Sequence, residues 1–259
     1  MLDKERLLPT FVGREAELHA FDERIGSGIR LINVLGPPGV GKSRFVIEYA
    51  KTTTHRATPP EILSVGLEDV ESKDGVLSAL AAALDAPIAA LATDDAVVRL
   101  GETLAARGRL LLVLDAAERS APVLAPMLAS FLGLAPLVTV VVTSRVRIGV
   151  EGEVLFDVRP LSLSRDGDAP SEAARLFIER ARTVRRDFSY DAGELPAIEA
   201  LVASLDGLPL AIELAAARAR VLGPREMLVL LDQNHLLPTA RTANGQTKLE
   251  AAIAKWLQL

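Results

Sequence analysis

Residues 31–50 read LINVLGPPGVGKSRFVIEYA, and this segment gives the strongest indication of the fold. It begins as an apolar run that is typical of a buried strand, and it ends with the apolar spacing of a helix. Between the two lie the glycines and prolines of residues 36–41. Glycine adopts left-handed backbone conformations that strain other residues. The stretch therefore predicts a strand, a tight loop and a helix in direct succession.

The loop in this stretch, GPPGVGKS at 36–43, matches the phosphate-binding pattern G-x-x-x-x-G-K-[ST]. Its backbone N–H groups and the positive end of the following helix are expected to surround phosphate oxygens. Lys42 would reach the β- and γ-phosphates, and the Ser43 hydroxyl would ligate Mg²⁺. The other predicted nucleotide contacts of this loop are Gly36, Pro38, Gly39, Val40, Gly41 and Arg44.

Two further apolar runs end in polar residues. RLLLVLDAAER (109–119) carries Asp115, which is a candidate for holding the magnesium, although an aspartate there could instead cap the next helix. VTVVVTSR (138–145) ends in Thr143, Ser144 and Arg145. Ligands of open α/β sheets bind outside the carboxyl ends of the strands. Arg145 could therefore contact a γ-phosphate, or it could be an ordinary surface arginine.

Composition limits the class of protein. The 259 residues are 49% hydrophobic and 24% charged, which allows a sizeable folded core. The net charge of −5 gives no basic footprint for nucleic acid, and the absence of cysteine excludes disulfides and thiolate metal sites. The arginines of ERARTVRRD (179–187) are expected to form a solvated helix face. With no secretory leader pattern and no long apolar span, a cytoplasmic location without membrane binding is predicted.

Five apolar runs indicate strands at 31–36, 62–67, 110–115, 138–144 and 154–158. Helical patterns separate these runs, so a mainly parallel five-stranded sheet covered by helices is expected. Only helical patterns follow residue 160. The predicted organisation is an α/β domain at 1–158, a linker at 159–170, an all-helical domain at 171–235 and the start of a further extension at 236–259.

Five segments occur in an order that resembles the STAND class of signal-transduction ATPases, the NB-ARC-like relatives of AAA+ proteins. They are FVGREAEL (11–18), GPPGVGKS (36–43), LLLVLDAAER (110–119), VVVTSR (140–145) and GLPLAIELAAAR (207–218). The nucleotide-binding part of large bacterial regulators of the LuxR and SARP type is especially similar. The resemblance implies a three-layer P-loop NTPase core, an AAA+ lid-like helical domain and, at 236–259, the lead-in to a winged-helix domain.

The resemblance also implies roles for individual residues. Val12 and Arg14 would lie against the adenine edge, and Pro209 would lean on the base or ribose. Asp115 would serve the magnesium and Arg145 would act as the sensor. The implied cofactors are ATP or ADP with Mg²⁺. The implied partners are the adenine nucleotide and other proteins, or a second copy of the chain in the ATP state, with no direct nucleic-acid binding by this segment.

The sequence departs from the family after Asp115. These regulators often carry an acid-rich or Asn-Cys-Glu run there, whereas Ala116 and Ala117 stand between Asp115 and Glu118. Glu118 is the candidate replacement for the catalytic base, beside Lys42, Asp115 and Arg145, and slow hydrolysis is expected. The predicted function is an ATP/ADP switch that slow hydrolysis resets. The alternatives are a ring-forming AAA+ ATPase that remodels a partner and a nucleotide-stabilised interaction scaffold.

Overall fold

The computed structural model describes residues 10–191 and 193–233. These residues divide into two compact units. One unit is Glu15–Arg159, and the other combines residues 10–14 with the described residues from Pro160 onward.

The first unit contains a five-stranded sheet in the order β2-β3-β4-β1-β5, in which every neighbouring pair is parallel. This confirms the predicted fold class. The register aligns Leu35 with Ser144 and Leu114 with Val142, so the carboxyl ends of three neighbouring strands meet at one edge. The strands are β1 (Leu31–Leu35), β2 (Glu61–Gly66), β3 (Leu110–Asp115), β4 (Val138–Ser144) and β5 (Val154–Asp157).

Five helices of this unit accompany the sheet, as the alternating pattern predicted. The main aliphatic cluster joins the strands to the third, fourth and fifth of them through side chains such as Leu80, Leu100 and Leu128, all fully buried. The helices are α1 (Glu15–Gly26), α2 (Lys42–Thr53), α3 (Lys73–Leu84), α4 (Thr93–Ala106) and α5 (Ala121–Leu134).

Four of the few aromatic residues form a cluster that joins α1, α2 and β5. Phe21 meets Phe45, Tyr49 and Phe156 edge-to-face, at ring-centroid distances of 5.4, 4.8 and 5.0 Å. Such pairs add to the free energy gained by burying the rings. The Tyr49 hydroxyl donates to Asp22 Oδ1 over 3.0 Å, so the buried ring also has a partner for its polar end.

The ionisation of Tyr49 predicts a loss of stability in alkali. Burial and the hydrogen bond to Asp22 raise the pKa of Tyr49 to about 12. In the unfolded chain the phenol ionises near pH 10, so the unfolded state loses its proton first. The free energy of unfolding should therefore fall as the pH rises from about 10 to about 12. Urea titrations across this range should show a clearly shallower fall for Tyr49→Phe, whereas Tyr190→Phe should follow the unmodified protein. Equal pH dependence in all three would contradict the prediction.

In the described residues of the second unit, all regular structure is helical. Its small core is built around side chains such as Phe177, Ile198 and Ile212. Ser171 caps the first helix by accepting a hydrogen bond from the Ala174 N–H at 3.1 Å. The elements are α6 (Glu172–Val184), α7 (Leu195–Ser204), α8 (Pro209–Ala216), a 3₁₀ turn (Ala217–Arg220) and α9 (Pro224–Gln233).

Residues 10–14 group with this helical unit, whereas the predicted division placed them with the sheet. The reason is a set of hydrogen bonds to α6. The Arg14 N–H donates to Glu172 Oε1 over 3.0 Å, and the Arg180 guanidinium donates to the Thr10 carbonyl over 2.8 Å. Gly13 is left-handed (φ 73°), and a Cβ there would lie 2.7 Å from Glu172 Oε1.

The expectation that the arginines of residues 179–187 form a solvated helix face is wrong for Arg180. Its side chain is only 13% exposed, and its Nε lies 2.9 Å from Glu213 Oε1 on α8. The neighbouring Arg182 and Arg185 are exposed, as expected. One member of the arginine run therefore has a structural role in holding residues 10–14.

The predicted linker, 159–170, contains no helix or strand, but it is tied to the helical unit. Leu161 is buried in the helical core, and its N–H donates to the Gly207 carbonyl over 2.9 Å. Gly207 has φ 63°, and a Cβ there would lie 2.5 Å from the Leu161 carbonyl oxygen. The predicted extension at 236–259 lies outside the described residues. Within the described part of the chain, every helix is too short or too polar to cross a bilayer.

Candidate functional site

The loop between β1 and α2 has the tightly curled backbone that its glycines predicted. Gly39 and Gly41 are left-handed, with φ 75° and 91°, and Gly41 is the N-cap of α2. At Gly36 a Cβ would lie 2.6 Å from the Val158 carbonyl oxygen and 2.9 Å from Val40 Cγ1. Val40 itself is fully buried, so its side chain anchors the loop. Side chains at the glycine positions would therefore disrupt the loop.

Lys42 folds back over this loop. Its Nζ donates to the carbonyl oxygens of Gly36 and Pro37, at 3.0 and 3.2 Å. Burial lowers the pKa of Lys42, Glu118 counteracts that shift, and Arg145 lowers the pKa further. The ammonium group is thus a partly desolvated cation at the start of a helix, where an anion is favoured.

Ser43, Asp115 and Thr143 come together from α2, β3 and β4. Asp115 Oδ1 accepts hydrogen bonds from Ser43 Oγ at 2.6 Å and from Thr143 Oγ1 at 2.5 Å. Thr143 Oγ1 in turn accepts from the Ala116 N–H at 2.9 Å. This network gives the carboxylate a fixed position beside the phosphate-binding loop. The sequence pointed to each of these residues, but not to the hydrogen bond between Thr143 and Asp115.

Glu118 and Arg145 form an ion pair at the same edge of the sheet, with Arg145 Nε 3.0 Å from Glu118 Oε1. The Glu118 side chain is 22% exposed, and its Oε2 is buried without a hydrogen-bond partner in the structure. An ionised oxygen left in this way is costly. The two residues lie near enough to Lys42 to shift its pKa in opposite directions. The structure therefore brings all four predicted catalytic residues together, namely Lys42, Asp115, Glu118 and Arg145.

The chemistry of this site suits a magnesium-bound nucleotide. The curled loop and the α2 N-terminus offer N–H groups to phosphate. Ser43 and Asp115 place two oxygens 2.6 Å apart. Mg²⁺ prefers oxygen ligands and is usually held by one or two protein groups together with phosphates and water. Ser43 and Asp115 are thus the residues that could hold this ion.

The other predicted contacts are distributed between the two units. Pro38 lies in the turn of the loop, and Arg44 pairs with Glu48 on α2, with Nη2 and Oε2 3.7 Å apart. Val12 packs against the core of the helical unit, and Pro209 is the first residue of α8. Arg14 is buried and left-handed, with φ 67°. The adenine and ribose roles of Val12, Arg14 and Pro209 stay predictions.

One buried and one partly buried polar residue near the site were not singled out from the sequence. Asn33 is fully buried in β1, where it interrupts an apolar run, and that interruption was a usable signal. Glu153 accepts a hydrogen bond from the Asn33 amide at 2.7 Å. Nothing in its local sequence distinguishes it from a surface glutamate.

This combination of fold and site defines a P-loop ATPase. The family model for the AAA ATPase domain matches residues 10–143, which is more than half of the chain. The chain belongs to this family.

Its relatives include mycobacterial proteins. An uncharacterized protein of Mycobacterium tuberculosis is 36% identical over 241 residues, which cover 93% of this chain and 58% of the relative. A second M. tuberculosis protein, provisionally named as an HTH-type transcriptional regulator, is 33% identical over 207 residues, covering 78% of this chain and 22% of the relative. The chain thus spans little more than half the length of the first relative and about a fifth of the second.

Solved structures share the fold. Cdc6p from Pyrobaculum aerophilum has a TM-score of 0.62 at 18% identity, covering 88% of this chain and 65% of that protein. A signal-transduction ATPase of the STAND class with a tetratricopeptide repeat sensor, from Pyrococcus horikoshii, has a TM-score of 0.50 at 19% identity, covering 81% of this chain and 30% of that protein. At such identities the likeness describes the fold alone.

Removing the charge of Asp115 should abolish the contribution of magnesium to ATP binding. Asn in place of Asp115 keeps an oxygen for the Ser43 and Thr143 hydroxyls but loses the negative charge. With Mg²⁺, the ATP affinity of Asp115→Asn should fall about tenfold or more, which corresponds to about 1.4 kcal/mol or more. In EDTA, the ATP affinity of this variant should equal that of the unmodified protein. Calorimetric titrations with and without Mg²⁺ measure both values.

The matched control for this variant is Asp157→Asn. Asp157 ends β5 at the same edge of the sheet, but it is exposed and aligned with Leu35. Its substitution should leave both affinities unchanged. If Mg²⁺ strengthens ATP binding as much in Asp115→Asn as in the unmodified protein, Asp115 does not hold the metal.

Proposed function

We propose that this chain is an ATP/ADP-binding molecular switch of a STAND-type bacterial signalling or transcriptional regulator, reset by slow Mg²⁺-dependent ATP hydrolysis. The observation that carries the proposal is the arrangement after Asp115. Ala116 takes the place of the usual adjacent acid, and Glu118 is paired with Arg145 at 3.0 Å. The site has the groups that bind a nucleotide, but its candidate base, Glu118, is held in an ion pair with Arg145.

The residues of the site have distinct roles in this proposal. The loop N–H groups and Lys42 bind the phosphates, and Ser43 with Asp115 holds the metal. Mg²⁺, when bound, would neutralise charge on the phosphate oxygens. Thr143 keeps the Asp115 carboxylate in place through the 2.5 Å hydrogen bond. These groups hold the nucleotide without themselves removing a proton from water.

Slow hydrolysis follows from the state of Glu118. A general base contributes about 10²–10⁴-fold to a rate, provided that it reaches the proton it must remove. Glu118 Oε1 is instead paired with Arg145 Nε at 3.0 Å, and this contact keeps the oxygen away from a water proton. Ala116 and Ala117, which follow Asp115, carry no side-chain group that could accept a proton in its place. The carboxylate can act as a base only when it leaves Arg145.

The switch depends on telling ATP from ADP, which differ by the γ-phosphate alone. A ligand shifts a conformational equilibrium only through contacts that differ between the two states. A near-complete shift, from 1:99 to 99:1, requires about 5.5 kcal/mol. Lys42, Arg145 and the metal held by Ser43 and Asp115 are the groups able to supply such contacts. The resemblance to STAND proteins and the provisional name of one mycobacterial relative support a regulatory setting in the cytoplasm, with protein partners or self-association in the ATP state.

Nucleotide content and turnover test the proposal directly. The purified protein should release ADP on heat denaturation, and its steady-state ATP turnover should lie below about 1 s⁻¹, the low end of typical enzymes. Faster steady turnover would favour the ring-forming remodelling ATPase instead. A Lys42→Ala variant of the full-length regulator that folds and still signals normally would favour the scaffold.

Glu118 should be needed for the residual hydrolysis. Glu118→Gln removes the basic oxygen while keeping the size of the side chain, so kcat should fall about 10²-fold with little change in ATP affinity. Phosphate release under saturating ATP measures the rate. Glu102→Gln, an exposed substitution on α4, is the matched control and should leave kcat unchanged. An unchanged rate in Glu118→Gln would exclude Glu118 as the base.

A further inference from the structure

A buried amide connects β1 with the loop that follows β4. Asn33 is fully buried, and its Nδ2 donates to the Val146 carbonyl oxygen at 3.0 Å and to Glu153 Oε1 at 2.7 Å. Asn33 Oδ1 is buried without a hydrogen-bond partner in the structure. Burying an amide with one end unsatisfied is costly, and an aliphatic residue would fill the strand without that cost. The two hydrogen bonds of Nδ2 are therefore the reason we infer for an amide at this position.

The Glu153 carboxylate accepts hydrogen bonds from two backbone N–H groups of the same loop. Oε1 accepts from the Ile148 N–H at 3.0 Å, and Oε2 accepts from the Gly149 N–H at 2.8 Å. Burial by itself would raise the pKa of Glu153, but the N–H groups of the loop and the Asn33 amide together lower it. The carboxylate is thus bound in its charged form by the loop it organises.

These contacts reach the residue next to Arg145. The Val146 carbonyl accepts from Asn33, and the Val146 N–H donates to Ser144 Oγ at 3.1 Å. Val146 is therefore held on both sides of its backbone, directly after Arg145. Asn33 itself lies on β1, three residues before Gly36, where the phosphate-binding loop begins. One side chain links the strand that leads into that loop with the segment that carries the sensor arginine.

We propose that Asn33 and Glu153 are positioning residues for Arg145, and that they set how strongly the site prefers ATP to ADP. The inference rests on the proposed sensing of the γ-phosphate by Arg145. Neither residue contacts the nucleotide in this scheme. Arg145 is half exposed, with a long side chain, so its reach toward Glu118 or a phosphate depends on where its backbone is held.

The first test measures nucleotide preference in Glu153→Gln. The substitution keeps the shape of the side chain but removes the charge and one acceptor for the loop N–H groups. The ratio of the ADP and ATP dissociation constants should fall about tenfold toward equality, with ADP binding almost unchanged because the phosphate-binding loop is intact. Glu151→Gln, an exposed substitution in the same loop, is the matched control and should leave the ratio unaltered.

A double-mutant cycle with Arg145→Ala separates positioning from a general effect on the fold. If Glu153 acts through Arg145, Glu153→Gln should change the ratio in the unmodified protein and leave it unchanged in the Arg145→Ala background. Additive effects, or an equal loss of ATP and ADP binding, would overturn the inference. Asn33→Leu, which fills the strand position without an amide, should repeat the result of Glu153→Gln.

Hydrogen exchange tests the anchoring without any nucleotide. In Glu153→Gln and Asn33→Leu, the Ile148 and Gly149 amides should exchange faster while the β3 amides keep their protection. Unchanged exchange at Ile148 and Gly149 would overturn the inference. If Arg145→Ala alone leaves the nucleotide ratio unaltered, the sensing role in the proposed function fails, and the role in nucleotide preference proposed for Asn33 and Glu153 fails with it. Additive effects in the cycle beside a clear effect of Arg145→Ala would overturn the positioning role alone.

Discussion

The hydrogen bonds that the Ser43 and Thr143 hydroxyls donate to one oxygen of Asp115 hold the site together. They join the helix after the phosphate-binding loop, the end of β3 and the end of β4, at distances of 2.6 and 2.5 Å. A carboxylate at the end of a buried strand needs such donors, because burying its charge without them is unfavourable. The same donors fix the direction of the carboxylate. Everything proposed for magnesium and nucleotide depends on this arrangement.

Around this centre the charges are nearly balanced, with Lys42 and Arg145 opposed by Asp115 and Glu118. The balance helps to explain how a partly buried ammonium and a carboxylate with one unsatisfied oxygen can coexist. Arg145 also has two possible partners, the Glu118 carboxylate and a phosphate, which are both negatively charged. In the proposed function, an arginine shared in this way would couple occupancy of the site to the release of Glu118 as the candidate base. That coupling suits a slow switch better than a fast enzyme.

In the helical unit, a small number of hydrogen bonds holds a segment that is distant in sequence. Residues 10–14 lie well ahead of it in sequence, yet Glu172 and Arg180 hold their backbone against α6. Hydrogen bonds to main-chain atoms leave no trace in residue patterns, because the pattern records side chains. For the same reason Arg180 resembled its exposed neighbours in the sequence, although its side chain is mostly buried and its guanidinium pairs with Glu213.

Local residue patterns were enough to predict the architecture and the phosphate-binding loop. Apolar runs separated by helical patterns specify a parallel sheet, and GPPGVGKS specifies the curled backbone, because both depend on local periodicity and on the conformations that glycine permits. The strand ends at Asp115 and Ser144 followed from the same reasoning. The pairing of the polar groups, in contrast, is visible only in the folded chain. The Thr143–Asp115 hydrogen bond, the Glu118–Arg145 ion pair and the Asn33–Glu153 contact join residues 27 to 120 positions apart, and side-chain contacts over such separations depend on packing that no local pattern encodes.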